Sequence, residues 1–239
     1  LVRHYAQGKE TFKIIETGTW RGERAQELAN AAFSVGVKKV IYEGYDLFEN
    51  ATEETDKVEF NSKAHNTVEE VGARLADFAE KIKINGCEFE FTLTKGDTKE
   101  TLKPREADFA FLDGGHSEAT VRWDHEQCCQ VPVVVFDDYI TEDDNGRSQP
   151  LEHQGTNIIF DDLLKGTKRA IVYPSKDPVM GGGHTHLALI VNDDVKEPPQ
   201  LPETVGAWKK LVINPHDCVA DQQLIDNVEE KDRKSTRLN

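Results

Sequence analysis

The sequence predicts a doubly wound α/β fold: a mostly parallel, seven-stranded, Rossmann-like sheet with helices on both faces. Three observations predict it. Strand-like apolar runs alternate with helix-spaced runs from Phe12 to Val191, the order that gives parallel sheets. The stretch Val131–Phe136 is β-branched and unbroken, as a central strand buried on both faces should be. Acidic residues recur at or just beyond the strand ends, namely Glu16, Asp46, Asp97, Asp113, Asp137 and Asp138. Packing does not need them there, and ligands of open α/β sheets bind beyond those ends.

The elements follow in order. Phe12–Glu16 is a short apolar strand, and Gly22–Phe33 is a helix with Ala25, Leu28, Ala29 and Ala32 on one face. Lys39–Tyr45 is the second strand, ending at Asp46. Glu49–Ser62 is polar and reads as a loop or a short solvated helix. Val68, Val71, Leu75, Phe78 and Ile82 lie at helical spacing within Asn66–Ile84. Glu88–Thr94 alternates Phe89, Phe91 and Leu93 and is the third strand. Ala107–Asp113 is the fourth, Glu118–Cys128 a helix and Val131–Phe136 the fifth strand. Thr141–Gly155 reads as a long polar loop and Ile158–Lys165 as a short helix. Arg169–Tyr173 and His186–Val191 complete the seven strands.

One domain covers residues 1–231. Pro198, Pro199 and Pro202 mark a break, so 197–231 is expected to be a peripheral appendage. Residues 232–239 resemble the translation of a sequencing adapter and are expected to be a non-native tail. The formal net charge of −15 disfavours a nucleic-acid partner. No run of about 18 apolar residues exists, so no membrane span is expected. Cys87, Cys128, Cys129 and Cys218 form no C-x-x-C pair; reduced thiols and a cytoplasmic location are the reading.

Five motifs carry the chemistry. Glu16-Thr-Gly-Thr-Trp-Arg-Gly22 makes a strand-to-helix turn: Gly18 allows close approach of a ligand, and Gly22 opens a helix whose free N–H groups attract polar groups. Its G-x-x-x-G spacing departs from the G-x-G-x-x-G of dinucleotide sites. Asp46 can accept both hydroxyls of a ribose, with Glu43 as its rival. Gly96-Asp97 brings a polar group where an adenine rim would lie. Asp113-Gly-Gly-His116 delivers an acid at a strand end and returns a histidine three residues later. Val133–Tyr139 delivers Asp137 and Asp138 at the next strand end. Asp113, Asp137 and Asp138 should converge and repel one another. A hard divalent cation, Mg²⁺, Mn²⁺ or Ca²⁺, would resolve that repulsion; capped helix N-termini and one hydrogen-bonded acid are the alternative. His184 and His186 follow Gly181-Gly-Gly183 and read as surface histidines on a flexible hairpin rather than as a metal pair.

The ordered set E-T-G-T-W-R-G, Y-D, K-G-D-T, F-L-D-G-G-H-S-E-A and V-F-D-D-Y, from about Phe12 to Tyr139, resembles class I S-adenosylmethionine-dependent methyltransferases, specifically the macrocin-type sugar O-methyltransferases. The run Cys128–Pro132 departs from that family's Gly-Gly turn before the fifth strand. The resemblance implies a cofactor pocket over the first strands. Glu16, Gly18 and Gly22 would bind the methionine end of S-adenosylmethionine, Asp46 the ribose and Asp97 the adenine, with Thr19 and Asp113 also binding the cofactor and Asp113 a catalytic residue as well. It further implies Mg²⁺ on Asp113, Asp137 and Asp138, His116 as general base, and a sugar or other small-molecule or glycan hydroxyl as acceptor. From the residues alone, His116 is either that base or a histidine that shapes its loop. Two other classes stay open: a binding module of the same fold without transferase activity, and a nicotinamide-dependent oxidoreductase.

Overall fold

The computed structural model describes residues 1–59, 61, 63–141, 155–163, 169–178, 184–192, 195–196 and 212–213. The elements are α1 (Val2–Ala6), β1 (Thr11–Thr17), α2 (Glu23–Phe33), β2 (Lys39–Asp46), a 3-10 turn (Phe48–Asn50), α3 (Glu53–Glu59), α4 (Val68–Lys83), β3 (Glu88–Lys95) and α5 (Thr98–Thr101). Then come β4 (Phe109–Leu112), α6 (Glu118–Cys128), β5 (Val133–Thr141), α7 (Gly155–Leu163), β6 (Arg169–Pro178), β7 (His184–Val191) and β8 (Val212–Ile213).

One sheet holds all the strands in the order β3-β2-β1-β4-β5-β7-β6-β8. Strands β1 to β5 pair in parallel, and β7 runs antiparallel to its neighbours β5 and β6. This is the predicted doubly wound, mostly parallel architecture. The chain winds outward from β1 to β3, returns to β4 and winds the other way, which puts the switch point between β1 and β4. The eighth strand, β8, was not foreseen, because two residues hold no period that a sequence reading can detect.

Alternating side chains separate two cores, as the pleat requires. Phe12, Ile14, Val40, Tyr42, Phe109, Phe111, Val133 and Val135 pack on one face with Ala25, Ala29 and Ala32 of α2 and Val71, Leu75 and Phe78 of α4. Ile15, Ala110, Leu112, Val134 and Phe136 face the other way and pack with Val121 and Cys128 of α6 and Ile159 and Phe160 of α7. Helix α4 starts at a capping box: the Thr67 side chain accepts the Glu70 N–H while Glu70 reaches back to the Thr67 N–H.

Strand β5 begins two residues later than expected and continues through the acids to Thr141. Its register against β7 shifts between Phe136 and Tyr139. Asp137 and Asp138 therefore occupy a β-bulge, a device that re-aims side chains at a strand end. His186 is 5% exposed, so it is not the surface histidine expected; it sits inside β7, whose neighbours cover it. The side chain of His184, the Gly181–Gly183 run, most of the Thr141–Gly155 loop, Cys218, the 197–231 appendage apart from β8, and the 232–239 tail lie outside the described residues. Among the described residues, no helix is long and apolar enough to cross a membrane.

Candidate active site

The carboxyl ends of β1 to β5 surround an open cleft of about 880 Å³, a size typical of small-molecule sites. Of the predicted residues, Gly18, Thr19, Asp46, Asp97, Asp113, His116, Asp137 and Asp138 line it.

Backbone hydrogen bonds stitch the strand ends together. The Gly18 N–H donates to the Tyr45 carbonyl (2.8 Å), the Gly96 N–H to the Asp46 carbonyl (2.9 Å) and the Asp113 N–H to the Thr17 carbonyl (3.0 Å). Gly18 has φ +79°, and a Cβ there would fall 1.7 Å from the Asp113 carbonyl oxygen. Only glycine lets β1 and β4 approach this closely. Gly22 and Glu16 are not among the lining residues. Gly22 caps α2 in a left-handed conformation, and a Cβ would meet Leu75 and Val71 at 3.1 Å, so its place is set by packing against α4. Glu16 is fully buried. The Tyr42 hydroxyl donates to its Oε2, while Oε1 has no hydrogen-bond partner among the described residues. Burial lifts its carboxyl to about 8 against the opposing Tyr42 bond.

Asp46 braces its surroundings. Its Oδ2 accepts the Trp20 N–H and its Oδ1 the Phe48 N–H, both at 2.7 Å. Trp20 and Phe48 carry φ values of 46° and 49°, a left-handed backbone that costs about 1–3 kcal/mol at a non-glycine residue. The carboxylate holds both in place. Each oxygen keeps a further lone pair for a hydroxyl donor. Glu43, the rival for the ribose, instead accepts from the Tyr45 hydroxyl (3.0 Å) and pairs with Arg105 (3.1 Å), and it is not a lining residue. Asp97 caps α5 by accepting the Lys99 N–H at 2.9 Å.

On the opposite side, Asp113, Asp137 and Asp138 share the cleft wall with His116. Burial and then the charges of Asp137 and Asp138 raise the Asp113 carboxyl well above the usual range. Burial followed by Asp138 lifts Asp137 to about 6, and burial raises Asp138. The expected mutual repulsion is present, but the expected cation site is not. Among the described residues, no group of three or more His, Cys, Asp or Glu side chains is arranged to hold a metal ion. The oxygens are turned to other partners. Asp137 Oδ1 accepts the Asp138 N–H (3.0 Å), and Asp138 Oδ2 meets His116 Nε2 at 2.7 Å. Retained protons, the His116 contact and the charge of Lys63 relieve the repulsion instead. This arrangement does not support the Mg²⁺ assignment to Asp113, Asp137 and Asp138.

His116 is held at both nitrogens, since its Nδ1 lies 2.8 Å from the Glu59 carbonyl oxygen. A carbonyl can only accept, so Nδ1 carries the proton and Nε2 faces Asp138. Burial lowers the ring's affinity for a second proton. One proton therefore links Nε2 to Asp138 Oδ2.

The sequence reading missed a whole wall. Residues of α3 and the segment after it, among them Asp56, Glu59, Asn61 and Lys63, line the cleft. Lys63 bears electrostatically on Asp113, His116, Asp137 and Asp138, and its Nζ lies 5.3 Å from the centre of the Trp20 ring. The Trp20 indole N–H donates to the Ala64 carbonyl at 2.9 Å.

No protein-family model and no curated protein matches the chain. Among solved structures, it is similar to an O-methyltransferase of tomaymycin synthesis from Streptomyces achromogenes, solved with S-adenosylmethionine: 18% identity, 80% of this chain and 77% of that one, TM-score 0.43. It is similar to an rRNA methylase from Streptococcus thermophilus at 11% identity, covering 80% and 90% of the two chains, TM-score 0.46. The C-terminal domain of precorrin-6Y C5,15-methyltransferase from Rhodobacter capsulatus matches at 9% identity over 80% and 85%, TM-score 0.41.

Proposed function

We propose that this chain is an S-adenosylmethionine-dependent O-methyltransferase acting on a hydroxyl of a sugar or other small-molecule or glycan acceptor. The observation that carries the reading is the single cleft onto which the ends of β1 to β5 open, with the Gly18 turn, Asp46 and Asp97 on one side and His116, Asp137 and Asp138 on the other. The donor set suits the cofactor. Asp46 keeps acceptor capacity for ribose hydroxyls, Asp97 stands beside it for the adenine, and the Gly18-Thr19 turn leaves backbone exposed for the methionine end. Glu16 is buried behind that turn with an unpartnered Oε1; a cationic group brought against it would favour loss of its proton and then donate to that oxygen.

Bound S-adenosylmethionine supplies an electrophilic methyl group on a sulfonium. The chain's own task is positioning and proton removal. Once the proton shared by His116 and Asp138 has been released to solvent, the pair is a neutral imidazole beside a carboxylate in the cleft wall, and the acceptor hydroxyl gives its proton to Nε2. Deprotonation there follows general-base logic: a neutral imidazole whose Nδ1–H is already donated can take a proton only at Nε2. Lys63, facing the same carboxylates, favours the ionised form of Asp138 and so helps to empty that proton site. An acidic chain of net charge −15 favours an uncharged or cationic acceptor over a nucleic acid.

S-adenosylhomocysteine is expected to raise the melting temperature, and NAD to leave it unchanged; stabilisation by NAD alone would end the methyltransferase reading. Asp46→Ala should weaken S-adenosylhomocysteine binding by roughly 1.5–3 kcal/mol through lost charge-assisted hydrogen bonds. It should also lower the melting temperature of the free protein, because Trp20 and Phe48 lose their brace. Unchanged affinity would remove Asp46 from the ribose role. Transfer of labelled methyl to a panel of sugars and catechols, with an RNA as a separate arm, tests the acceptor; label on the RNA alone would overturn the small-molecule or glycan acceptor.

A further inference from the structure

Glu59 is the last residue of α3, a helix with no buried side chain. Its carboxylate nevertheless has three donors, all from the start of α6. Oε2 accepts the Ser117 N–H at 2.9 Å. Oε1 accepts the Ser117 hydroxyl at 2.9 Å and the Thr120 hydroxyl at 2.6 Å. A negative charge at the N-terminal end of α6 is also favoured by the helix dipole. The same residue's main-chain carbonyl receives the His116 Nδ1–H at 2.8 Å.

The neighbouring glycine is shaped around this carboxylate. A Cβ on Gly115 would fall 2.2 Å from Glu59 Oε2 and 2.9 Å from the Thr120 methyl. Gly115 is not among the glycines with positive φ, so the space taken by Glu59, rather than the turn itself, calls for glycine here. The arrangement locks three things together: the side chain of Glu59, the first turn of α6, and the imidazole between them.

We propose that Glu59 is a positioning residue of the methyl-transfer site. Its side chain anchors the α3 wall to α6, and the anchored main-chain carbonyl fixes the His116 ring with Nδ1–H outward and Nε2 toward Asp138 and the cleft. The inference uses the methyl-transfer reading as its frame, but its structural core is independent of turnover. Glu59→Ala frees the end of α3, the carbonyl drifts, and the ring loses its orientation. Glu59→Gln retains the anchor, because its amide can accept the Ser117 N–H through oxygen and donate to the two hydroxyls, which serve as acceptors equally well.

The test is the His116 imidazole N–H signal in ¹⁵N-labelled full-length protein, assigned by its absence in His116→Asn. Wild type and Glu59→Gln are expected to show a hydrogen-bonded Nδ1–H resonance protected from exchange, and Glu59→Ala to lose it. S-adenosylhomocysteine affinity should stay within about twofold in all three. With the acceptor found in the panel above, Glu59→Ala should lower kcat by about 10²-fold, the scale of a misplaced catalytic group, and KM far less. Gly115→Ala should reproduce the loss of the resonance in wild type, yet add less in the Glu59→Ala background, where the clash with the carboxylate is gone and only the Thr120 methyl contact remains. A protected Nδ1–H resonance in Glu59→Ala, or strictly additive effects of the two substitutions, would overturn the proposal. Failure of wild type to bind S-adenosylhomocysteine would instead remove the methyl-transfer frame, leaving the anchoring to be judged by the resonance.

Discussion

Replacing Glu16 by glutamine is expected to stabilise the ligand-free protein at pH 8 and to change it little at pH 5. Glu16 is buried, and its carboxyl is raised from 4.5 to about 8. The unfolded chain releases this proton near 4.5, whereas the folded chain keeps it until about 8. Between those values the folded state binds more protons, so stability falls as pH rises. The full contribution is present below about 4.5 and is lost once pH passes about 8. Glutamine cannot ionise and can still accept the Tyr42 hydroxyl. The gain at pH 8 should be on the order of a few kcal/mol, or roughly 5–10 °C in Tm for a chain of this size. Some slope should survive in the variant below about pH 6, because Asp124 and Asp137 are both raised from 3.8 to about 6. Thermal melts of both proteins from pH 4.5 to 8.5 check this. A variant whose Tm tracks wild type at every pH would show that Glu16 ionises normally in the fold.

The second large effect concerns the proton. His116→Ala is expected to cut the methyl-transfer rate by about 10²–10⁴ while S-adenosylhomocysteine binds as before. Asp138→Asn separates the two halves of the pair. Asp138 has φ 55°, a conformation that asparagine tolerates as well as aspartate does, so the variant should fold. Its side-chain amide can still donate to Nε2, but it cannot take up a proton. Loss of rate with an unchanged melting curve is the expected outcome. A variant at full speed would leave the proton to His116 alone, and a full-speed His116→Ala would discard the base altogether.

Most of the sheet was legible because its signals are local. The alternation of Phe89, Phe91 and Leu93, the unbroken Val133–Phe136 and the small-residue face of Ala25, Ala29 and Ala32 each report burial within one element. The acids at strand ends were legible for the same reason, and eight of the predicted residues do line one cleft. What the acids do with their oxygens was not legible. The bulge between Phe136 and Tyr139 rotates Asp137 and Asp138, and a bulge depends on the partner strand β7, far along the chain. Asp46 looked like a ligand-binding acid, yet its first partners are two backbone N–H groups whose unusual φ values no residue pattern announces. Glu59 and Lys63 were invisible for a different reason. They lie in a polar stretch without apolar period, and only the return of that stretch onto α6 and the cleft gives them meaning.

That polar stretch has an evolutionary consequence. Helix α3 buries none of its side chains, and Val58 stands 53% exposed although it faces the cleft. Folding places almost no constraint on the identities of Glu54 and Val58, while any molecule entering the cleft meets them directly; Thr55 and Asp56 are instead held to Thr52 and His65. Drift at these two positions can therefore reshape the cleft wall without eroding the scaffold, provided the Glu59 tether is kept. For the engineer, libraries confined to these two positions would sample new cleft walls from variants that remain folded.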